Sequence, residues 1–310
     1  MKRKFLSLLL AAALCLPASA YAAPAEVAVS GDVDGDGAIT AMDALLTLQS
    51  AAQTTALSSA QQTAADVGGA VGVAADDALL ILKKATGAID RFPAEALTQH
   101  SLQTASETLS YWLYTPANAT ADMPLIVYLH GGSGKGSDLN VLMTNDGFPL
   151  YLRSGQLGEV PAYVVIPQLS ASHRGWSDIK NALRELITTV QHNYAIDTGR
   201  ISLTGHSMGG KGTFDIALAY PKLFARVAPL SGSITVNDQN VQTLANTPLW
   251  AVVGSADTIV PPDSSQAFIA ALQTAGANAH LAVLDGAGHF DVPAAYLDRD
   301  LGLVDWLLAK

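Results

Sequence analysis

Short apolar runs alternate with longer amphipathic stretches from about residue 101 to the end of the chain. The apolar runs are brief, rich in β-branched residues and bounded by Gly, Pro or polar positions, which is typical of buried strands. The predicted strands are 125–129, 163–166, 201–203, 249–253 and 281–284, preceded by an antiparallel strand at 108–114. The predicted helices are 177–194, 209–220, 264–275 and 294–308. This alternation predicts an α/β fold with a mainly parallel sheet that has helices on both faces.

The first residues of the chain have a different pattern. Three basic residues at 2–4 precede an apolar run at 5–16, and small residues follow. This order is typical of a secretory signal peptide, and the run is too short to span a bilayer. We therefore predict a signal peptide at 1–22, cleaved after Ala20 or Ala22, and a secreted, extracellular protein.

Composition narrows the classes of partner. The 310 residues are 49% apolar and carry 27 acidic and 17 basic side chains, for a formal net charge of −10. Because this excess of acid repels phosphate groups, it argues against a nucleic-acid partner and against docking on an anionic membrane. The single cysteine, Cys15, falls inside the predicted signal peptide, so neither a disulfide framework nor a cysteine-based metal site is expected.

An internal repeat lies between these two regions. Residues 31–48 and 65–82 are similar in register, at an offset of 34. Alternate carboxylates in the first copy converge on one hard cation, a glycine permits the sharp turn, and a carboxylate from the following helix closes the site. The candidate ligands are Asp32, Asp34 and Asp36 at loop positions 1, 3 and 5, Ile39 at 8, Thr40 at 9 and Asp43 at 12. We predict a Ca²⁺ site in this first loop.

The second copy of the repeat is degenerate. It keeps Asp66 at position 1 and Asp77 at position 12 but has Gly68, Ala70 and Val71 at positions 3, 5 and 6. Two carboxylates and the turn glycine are therefore lost. This loss favours a packing role for the second copy, since its apolar helix face is retained.

Two loop–helix units of this kind resemble a dockerin, a small all-α, EF-hand-like module. The resemblance covers 31–88, and we assign the module to 29–90 with a linker at 91–100. It implies a structural Ca²⁺ and a cohesin-bearing scaffold protein as partner. By the same resemblance, cohesin contacts are expected at loop positions 10 and 11, which are Ala41 and Met42 in the first copy and Ala75 and Asp76 in the second.

A candidate nucleophile follows one of the predicted strands. Residues 205–209 read G-H-S-M-G, directly after the strand at 201–203 and at the start of the next helix. In this setting the glycines permit a turn so tight that Ser207 projects above the sheet at a helix N-terminus, where developing negative charge is stabilised.

A serine hydroxyl needs a base, and the base needs a carboxylate to orient it. Asp257 follows the strand at 249–253, and His289 follows the last strand, which reproduces the Ser, Asp, His order of an α/β-hydrolase. Asp285 and Asp291 lie close to His289 in sequence, and we interpret them as solvated loop carboxylates.

Backbone N–H groups are expected to bind the oxyanion. Residues 130–134 read H-G-G-S-G at the end of a predicted strand, and such a loop can direct N–H groups toward a carbonyl oxygen. The candidate donors are the N–H groups of Met208 and Gly132, with Ser133 as the alternative to Gly132.

These motifs resemble the α/β-hydrolase superfamily over 101–310. Within it the chain is similar to compact carboxylesterases, feruloyl and acetyl-xylan esterases and polyhydroxybutyrate depolymerases. The resemblance implies a serine carboxylic-ester hydrolase that needs no catalytic cofactor, and the dockerin-like module points to esters on plant polysaccharides. The alternatives are a secreted serine peptidase of prolyl-oligopeptidase type and a non-catalytic binding protein.

Overall fold

The computed structural model describes residues 29–68, 72–145 and 147–310. A small helical module comes first along the chain, and a sheet domain follows it. The predicted signal peptide at 1–22 lies outside the described residues. Within the described ranges, no helix combines the length and the apolarity needed to cross a membrane.

Three helices form the module. They are α1 (Ala41–Ala51), α2 (Ser59–Ala65) and α3 (Ala75–Ala85). The Thr40 hydroxyl accepts from the backbone N–H of Met42, and the Asp43 carboxylate returns to Thr40, which forms a capping box at the start of α1. The helices pack around a small apolar core: Val33, Ala44, Leu57, Ala64, Ala65, Val67, Leu80, Ile81 and Phe92.

An eight-stranded sheet forms the second unit. Its strands are β1 (Leu97–Gln103), β2 (Thr108–Tyr114), β3 (Met123–Leu129), β4 (Tyr163–Pro167), β5 (Ile196–His206), β6 (Arg226–Leu230), β7 (Leu249–Gly254) and β8 (Ala279–Leu284). Their spatial order is β1-β2-β4-β3-β5-β6-β7-β8. In this order, neighbouring strands from β4 to β8 pair in parallel. Strand β2 pairs antiparallel with both β1 and β4. The mainly parallel α/β sheet predicted from the sequence is confirmed.

Helices cover both faces of this sheet. They are α4 (Leu142–Asn145), α5 (Gly147–Arg153), α6 (Lys180–Asn193), α7 (Met208–Ala219), α8 (Asp238–Leu244), α9 (Asp263–Thr274) and α10 (Leu303–Leu308). On the central strand β3, Leu125 and Val127 belong to the core on one face, and Ile126 and Tyr128 to the core on the other. Alternate side chains point to opposite faces, so a strand buried on both reads as a continuous apolar run.

Several elements differ from the predicted pattern. Strand β6 was not predicted; it is short and contains Pro229, a residue unusual inside a strand. The single helix predicted at 294–308 is wrong. It is replaced by a 3₁₀ turn at Val292–Tyr296 and the short helix α10, whose N-cap Gly302 has a φ of +67°, a conformation that interrupts a helix and favours glycine.

The linker predicted at 91–100 also needs correction. A 3₁₀ turn occupies Pro93–Ala96, and β1 begins at Leu97, inside the predicted linker. The polar residues of β1 belong to an edge strand with much of its surface exposed, which is why their composition resembled a linker. Phe92 is 1% exposed in the module core, and Arg91 Nη2 donates to the Thr115 carbonyl at 2.6 Å, so this segment is packed against both units.

Candidate active site

Ser207 lies at the turn between β5 and α7. Its backbone has a φ of 61° and a ψ of −119°, a conformation that costs a non-glycine residue about 1–3 kcal/mol and persists only where the surroundings enforce it. Its N–H donates to the Leu230 carbonyl at 3.0 Å. A Cβ added at Gly209 would lie 1.8 Å from the Leu129 carbonyl oxygen, so the turn requires glycine there. The strand–turn–helix arrangement predicted around Ser207 is present.

Three predicted residues from separate loops form one hydrogen-bonded chain. His289 Nε2 lies 2.8 Å from Ser207 Oγ, and His289 Nδ1 lies 2.8 Å from Asp257 Oδ2. Asp257 is 4% exposed and His289 is 6% exposed. Because Asp257 accepts from Nδ1–H, Nε2 is free to accept the hydroxyl proton of Ser207. This is the geometry of a nucleophile, a base and an orienting carboxylate.

The surroundings of Asp257 keep its carboxyl ionised. Burial disfavours the charge, but hydrogen bonds from His289 and from the backbone N–H of Val260 outweigh it, so the pKa of Asp257 lies below its ordinary value. Its Oδ1 accepts from the N–H groups of Ile259 at 3.0 Å and Val260 at 2.8 Å. These bonds also fix the orientation of the carboxylate toward His289.

The other two carboxylates near His289 in sequence make hydrogen bonds to nearby loop residues. Asp291 Oδ2 accepts from the Gly288 N–H at 2.8 Å, and Ser255 Oγ donates to Asp285 Oδ1 at 3.4 Å. Both aspartates are exposed. Their position agrees with the interpretation of Asp285 and Asp291 as loop carboxylates.

His130 holds the glycine loop after β3. Its Nε2 accepts from the Leu169 N–H at 2.9 Å, which leaves Nδ1 to donate to the Gly131 carbonyl at 2.6 Å. Burial lowers the pKa of His130 to about 4, so the ring is neutral at pH 7 and can make both bonds. A side chain at Gly131 would lie 3.7 Å from the Ser207 Cβ, so this loop passes directly beside the serine.

The candidate oxyanion donors lie on two sides of Ser207. Gly132 and Ser133 line the same cavity as Ser207, at the start of a 3₁₀ turn formed by Gly132–Gly134. Met208 is the first residue of α7, so its N–H belongs to the helix N-terminus, where backbone donors favour negative charge.

The cavity at Ser207 has a volume of about 460 Å³. Among the described residues that line it, none has a formally charged side chain. The lining residues are Gly131, Gly132, Ser133, Thr144, Gly147, Leu150, Tyr151, His206, Ser207, Ile259, His289, Phe290 and Pro293. The site therefore suits a neutral substrate group.

Two further aromatic rings support the site. His206 Nε2 donates to the His289 carbonyl at 2.9 Å, and burial together with the nearby His289 lowers the pKa of His206 to about 4. The Trp176 side chain is 1% exposed, and its ring N–H donates to the His130 carbonyl at 3.2 Å. Trp176 is a core residue.

The first acidic loop brings three predicted metal ligands together. Carboxylate oxygens of Asp32, Asp34 and Asp36 lie within 4.8 Å of one another. Carboxylate oxygens are the ligands Ca²⁺ prefers, so this donor set fits the ion. Asp32 is 8% exposed, and its oxygens accept from the N–H groups of Gly35 and Gly37, both at 2.9 Å, which shapes the loop around the cluster.

The other three predicted ligands make different contacts. Asp43 accepts from the N–H groups of Val33, Asp34 and Thr40 at 2.7, 3.1 and 2.8 Å. Burial raises the pKa of Asp43, but these bonds outweigh it, so the pKa lies below the ordinary value. The Thr40 hydroxyl caps α1, and the Ile39 side chain packs against the module core.

Comparisons with known proteins agree with both units. Residues 150–294 match the Dienelactone hydrolase family, and residues 30–85 match the Dockerin type I domain. Acetylxylan esterase A from Talaromyces purpureogenus is 30% identical over 135 residues, which are 41% of this chain and 34% of that protein. The chain spans about a third of the length of the curated relatives it matches.

Solved structures establish the fold. A thermostable esterase has a TM-score of 0.61 at 22% identity, covering 69% of this chain and 63% of its own. The feruloyl esterase module from Clostridium thermocellum has a TM-score of 0.52 at 19% identity, covering 64% and 85%. The chain has an α/β-hydrolase fold, preceded by a module that matches the dockerin type I domain.

In the second loop of the dockerin module, Asp77 makes backbone contacts equivalent to those of Asp43 in the first. Asp77 is fully buried and accepts from the N–H groups of Val67, Gly68 and Ala74 at 3.0, 2.6 and 2.8 Å. Burial raises the pKa of Asp77, with smaller contributions from nearby carboxylates. Leu80 and Ile81 of α3 are buried in the module core, which supports the packing role expected from the sequence.

Sequence reasoning missed several residues that line the hydrolase cavity. Phe290 follows His289 directly and Ile259 lies two residues after Asp257, so proximity to the triad was an available signal for both. Leu150 and Tyr151 had no such signal, because helix α5 contributes them only through tertiary packing.

Proposed function

We propose that this α/β-hydrolase is a secreted serine hydrolase that cleaves carboxylic esters, with Ser207, His289 and Asp257 as its catalytic residues. The observation that carries the proposal is the continuous hydrogen-bonded chain from Ser207 Oγ through the His289 ring to Asp257 Oδ2. Its members come from three loops, each at the carboxyl end of a strand, and they meet at a cavity. Such convergence is characteristic of catalysis in this fold.

In the first half of the reaction, Ser207 Oγ attacks the ester carbonyl carbon while its proton passes to His289 Nε2. Asp257 stabilises the resulting imidazolium without taking the proton. The carbonyl oxygen becomes an oxyanion and accepts hydrogen bonds from the N–H groups of Met208 and Gly132. The C–O bond to the alcohol then breaks, and the leaving oxygen takes the proton from His289 Nε2.

In the second half, water hydrolyses the acyl-enzyme. His289 Nε2 takes a proton from the water as its oxygen attacks the acyl carbon. The bond to Ser207 Oγ then breaks, His289 returns the proton to that oxygen, and the acid leaves. No metal or organic cofactor takes part in these steps.

The substrates are ester groups that decorate plant cell-wall polysaccharides. This part of the proposal is supported by the acetylxylan esterase similarity and by the dockerin match on the same chain. Because one fold hosts many functions, hydrolysis of sugar esters by the purified protein is the test of this part of the proposal.

The dockerin module attaches the enzyme to a cohesin-bearing scaffold and holds a structural Ca²⁺ in its first loop. Met42, at loop position 11, is 53% exposed, and Leu45 and Leu48 continue the same exposed apolar face of α1 at 46% and 48%. A type I cohesin should bind the full chain in the presence of Ca²⁺ and should lose that binding in excess chelator. Binding that ignores chelation would contradict this assignment.

Covalent labelling tests the nucleophile. A fluorophosphonate probe should modify the parent protein at Ser207, as located by peptide mass spectrometry, and should leave Ser207→Ala unlabelled. Ser207→Ala should also lose at least about 10⁴-fold in kcat/KM on short esters. Unchanged hydrolysis by Ser207→Ala, with normal folding, would refute the proposal.

A serine peptidase is the alternative function, since the same triad cleaves amides. Parallel assays with esters and with peptides of matched acyl group separate the two. The non-catalytic alternative predicts no labelling of Ser207 and no turnover of either class.

Export is the last component of the proposal. It is supported by the basic and apolar pattern at 1–22 and by the dockerin match. N-terminal sequencing of protein recovered from the culture medium should give a first residue near position 21 or 23.

A further inference from the structure

Two large apolar side chains stand exposed beside the catalytic histidine. Phe290 is 81% exposed and Ile259 is 57% exposed, and both line the cavity at Ser207. Apolar groups that are exposed together at the rim of a cavity are candidates for a binding surface. We propose that Phe290, supported by Ile259, forms a platform on which the alcohol part of the ester stacks, and that this alcohol is a sugar ring.

The platform is held by the same contacts that hold the triad. Ile259 donates its N–H to Asp257, and the backbone carbonyl of His289, the residue before Phe290, accepts from His206 at 2.9 Å. The rings of His289 and Phe290 meet edge to face, with centroids 5.2 Å apart. The backbone on both sides of the platform is therefore tied to the catalytic residues.

The chemistry of the reaction decides which part of the ester lies there. His289 Nε2 must give its proton to the leaving oxygen, so the alcohol lies on the His289 side of the serine. The carbonyl oxygen points instead toward the glycine loop that contains Gly132. Phe290 is in ring contact with His289, so it faces the alcohol rather than the oxyanion.

The exposure of Phe290 selects the kind of alcohol. A long alkyl group gains most from an enclosed channel, whereas a ring that is 81% exposed offers one open face and leaves the other side of its ligand in water. A sugar ring suits this arrangement, because its C–H groups make an apolar face while its hydroxyl groups remain hydrated. The uncharged lining among the described residues agrees with a neutral alcohol.

This inference rests on the proposed ester hydrolysis, so its test keeps the acyl group constant and changes only the alcohol. One pair is a mono-acetylated xylo-oligosaccharide and ethyl acetate; a second pair is a feruloylated arabino-oligosaccharide and methyl ferulate. Phe290→Ala should lower the ratio of kcat/KM for the sugar ester to kcat/KM for the small ester by about tenfold. Phe290→Trp, which keeps an aromatic ring at this position, should retain most of the parent's ratio.

Control variants and substrates distinguish a specific role of Phe290 in binding the sugar alcohol from a general loss of activity. Val236→Ala, at an exposed apolar residue outside the cavity lining, should leave the ratio unchanged. Hexyl acetate tests the alkyl alternative: if Phe290→Ala lowers its hydrolysis as much as that of the sugar ester, the sugar assignment is wrong. Equal losses on the sugar and the small ester, or no loss on either, would also overturn it.

The ratio is measured with whichever of the two ester pairs the parent protein hydrolyses. If the parent hydrolyses neither pair and its Ser207 remains unlabelled, the proposed ester hydrolysis itself fails. The Phe290 platform is tested by the ratio of kcat/KM values, which requires an active parent protein. Failure of the platform is therefore distinguishable from failure of the proposed ester hydrolysis.

Discussion

The acidic loop of the dockerin module and the triad of the hydrolase domain are both assembled from few residues, but at very different distances along the chain. The predicted loop ligands lie between Asp32 and Asp43. The triad joins residues that are 82 and 32 positions apart. A loop site therefore depends on local turns, whereas the triad exists only when several strands are in register.

The two regions also differ in charge. Residues 24–100 contain ten acidic and three basic residues, and three of the carboxylates cluster in the first loop. The described lining of the cavity at Ser207 has no formally charged side chain. In the module three carboxylates form a cluster that fits a cation, and at the cavity of the hydrolase domain a buried aspartate lies behind the candidate base.

The largest expected effect concerns the long-range site. Asp257→Asn should lower kcat/KM on a short ester by about 10⁴-fold, because an amide no longer holds the His289 ring in the productive tautomer. Asp291→Asn, at an exposed aspartate two residues from His289, is the matched control and should remain within about twofold. Equal losses in the two variants would show that Asp257 is not the orienting carboxylate.

A pH dependence should distinguish the two regions next. His130 and His206 have pKa values of about 4, below the ordinary value of 6.5, because both are buried, and the described part of the module contains no histidine. Between these values the unfolded chain binds more protons than the folded one, so stability falls as pH falls. From pH 7 to pH 5 each histidine should cost about 2 kcal/mol.

Urea unfolding followed by tryptophan fluorescence measures this effect, since Trp112, Trp176, Trp250 and Trp306 all lie in the hydrolase domain. His206→Gln should show a smaller loss of stability from pH 7 to pH 5 than the parent. A parent stability that is the same at both pH values would contradict the assignment of two neutral, buried histidines.

Calcium binding tests the local site. Asp32→Ala should weaken Ca²⁺ binding by at least about 100-fold, or about 2.7 kcal/mol, in titration calorimetry. Asp66→Ala changes the same position of the degenerate loop and should leave the number of bound ions unchanged. Excess chelator should leave hydrolysis of a short ester within about twofold, because the described cavity lining includes no residue of the module. An ion lost in Asp66→Ala would show that the second loop also binds.

The smallest effect concerns the junction of the two regions. Arg91 donates to Thr115 at 2.6 Å and approaches Glu159 at 3.4 Å, so Arg91→Ala should lower the free energy of unfolding by about 1–2 kcal/mol. Arg174→Ala removes an ion pair whose arginine is 94% exposed and should change it by less than about 0.5 kcal/mol. Equal changes would mean that Arg91 does not stabilise the junction.

Much of the fold followed from local pattern. The five parallel strands predicted from apolar runs are present, each within a few residues of its expected bounds, because strands buried on both faces carry the strongest signal. Local pattern does not predict edge strand β1 or strand β6, because β1 is largely polar and β6 contains Pro229. Their pairing partners, rather than their own residues, place them in the sheet.

The candidate site also combines residues that local pattern predicts with residues that it does not. Motif spacing was enough to nominate Ser207, Asp257 and His289, because each follows a strand and their order along the chain is diagnostic. Leu150 and Tyr151 reach the cavity from α5, and no spacing relative to the triad points to them.

By itself, the sequence determined the residue types and their order: an acidic loop with carboxylates at alternate positions, and a serine, an aspartate and a histidine at strand ends. Tertiary structure alone decided the strained backbone of Ser207, the neutrality of His130 and His206, and the cavity with its exposed Phe290. The physical reason is that backbone strain, desolvation and cavity shape depend on which distant segments pack together, and packing is a property of the folded chain.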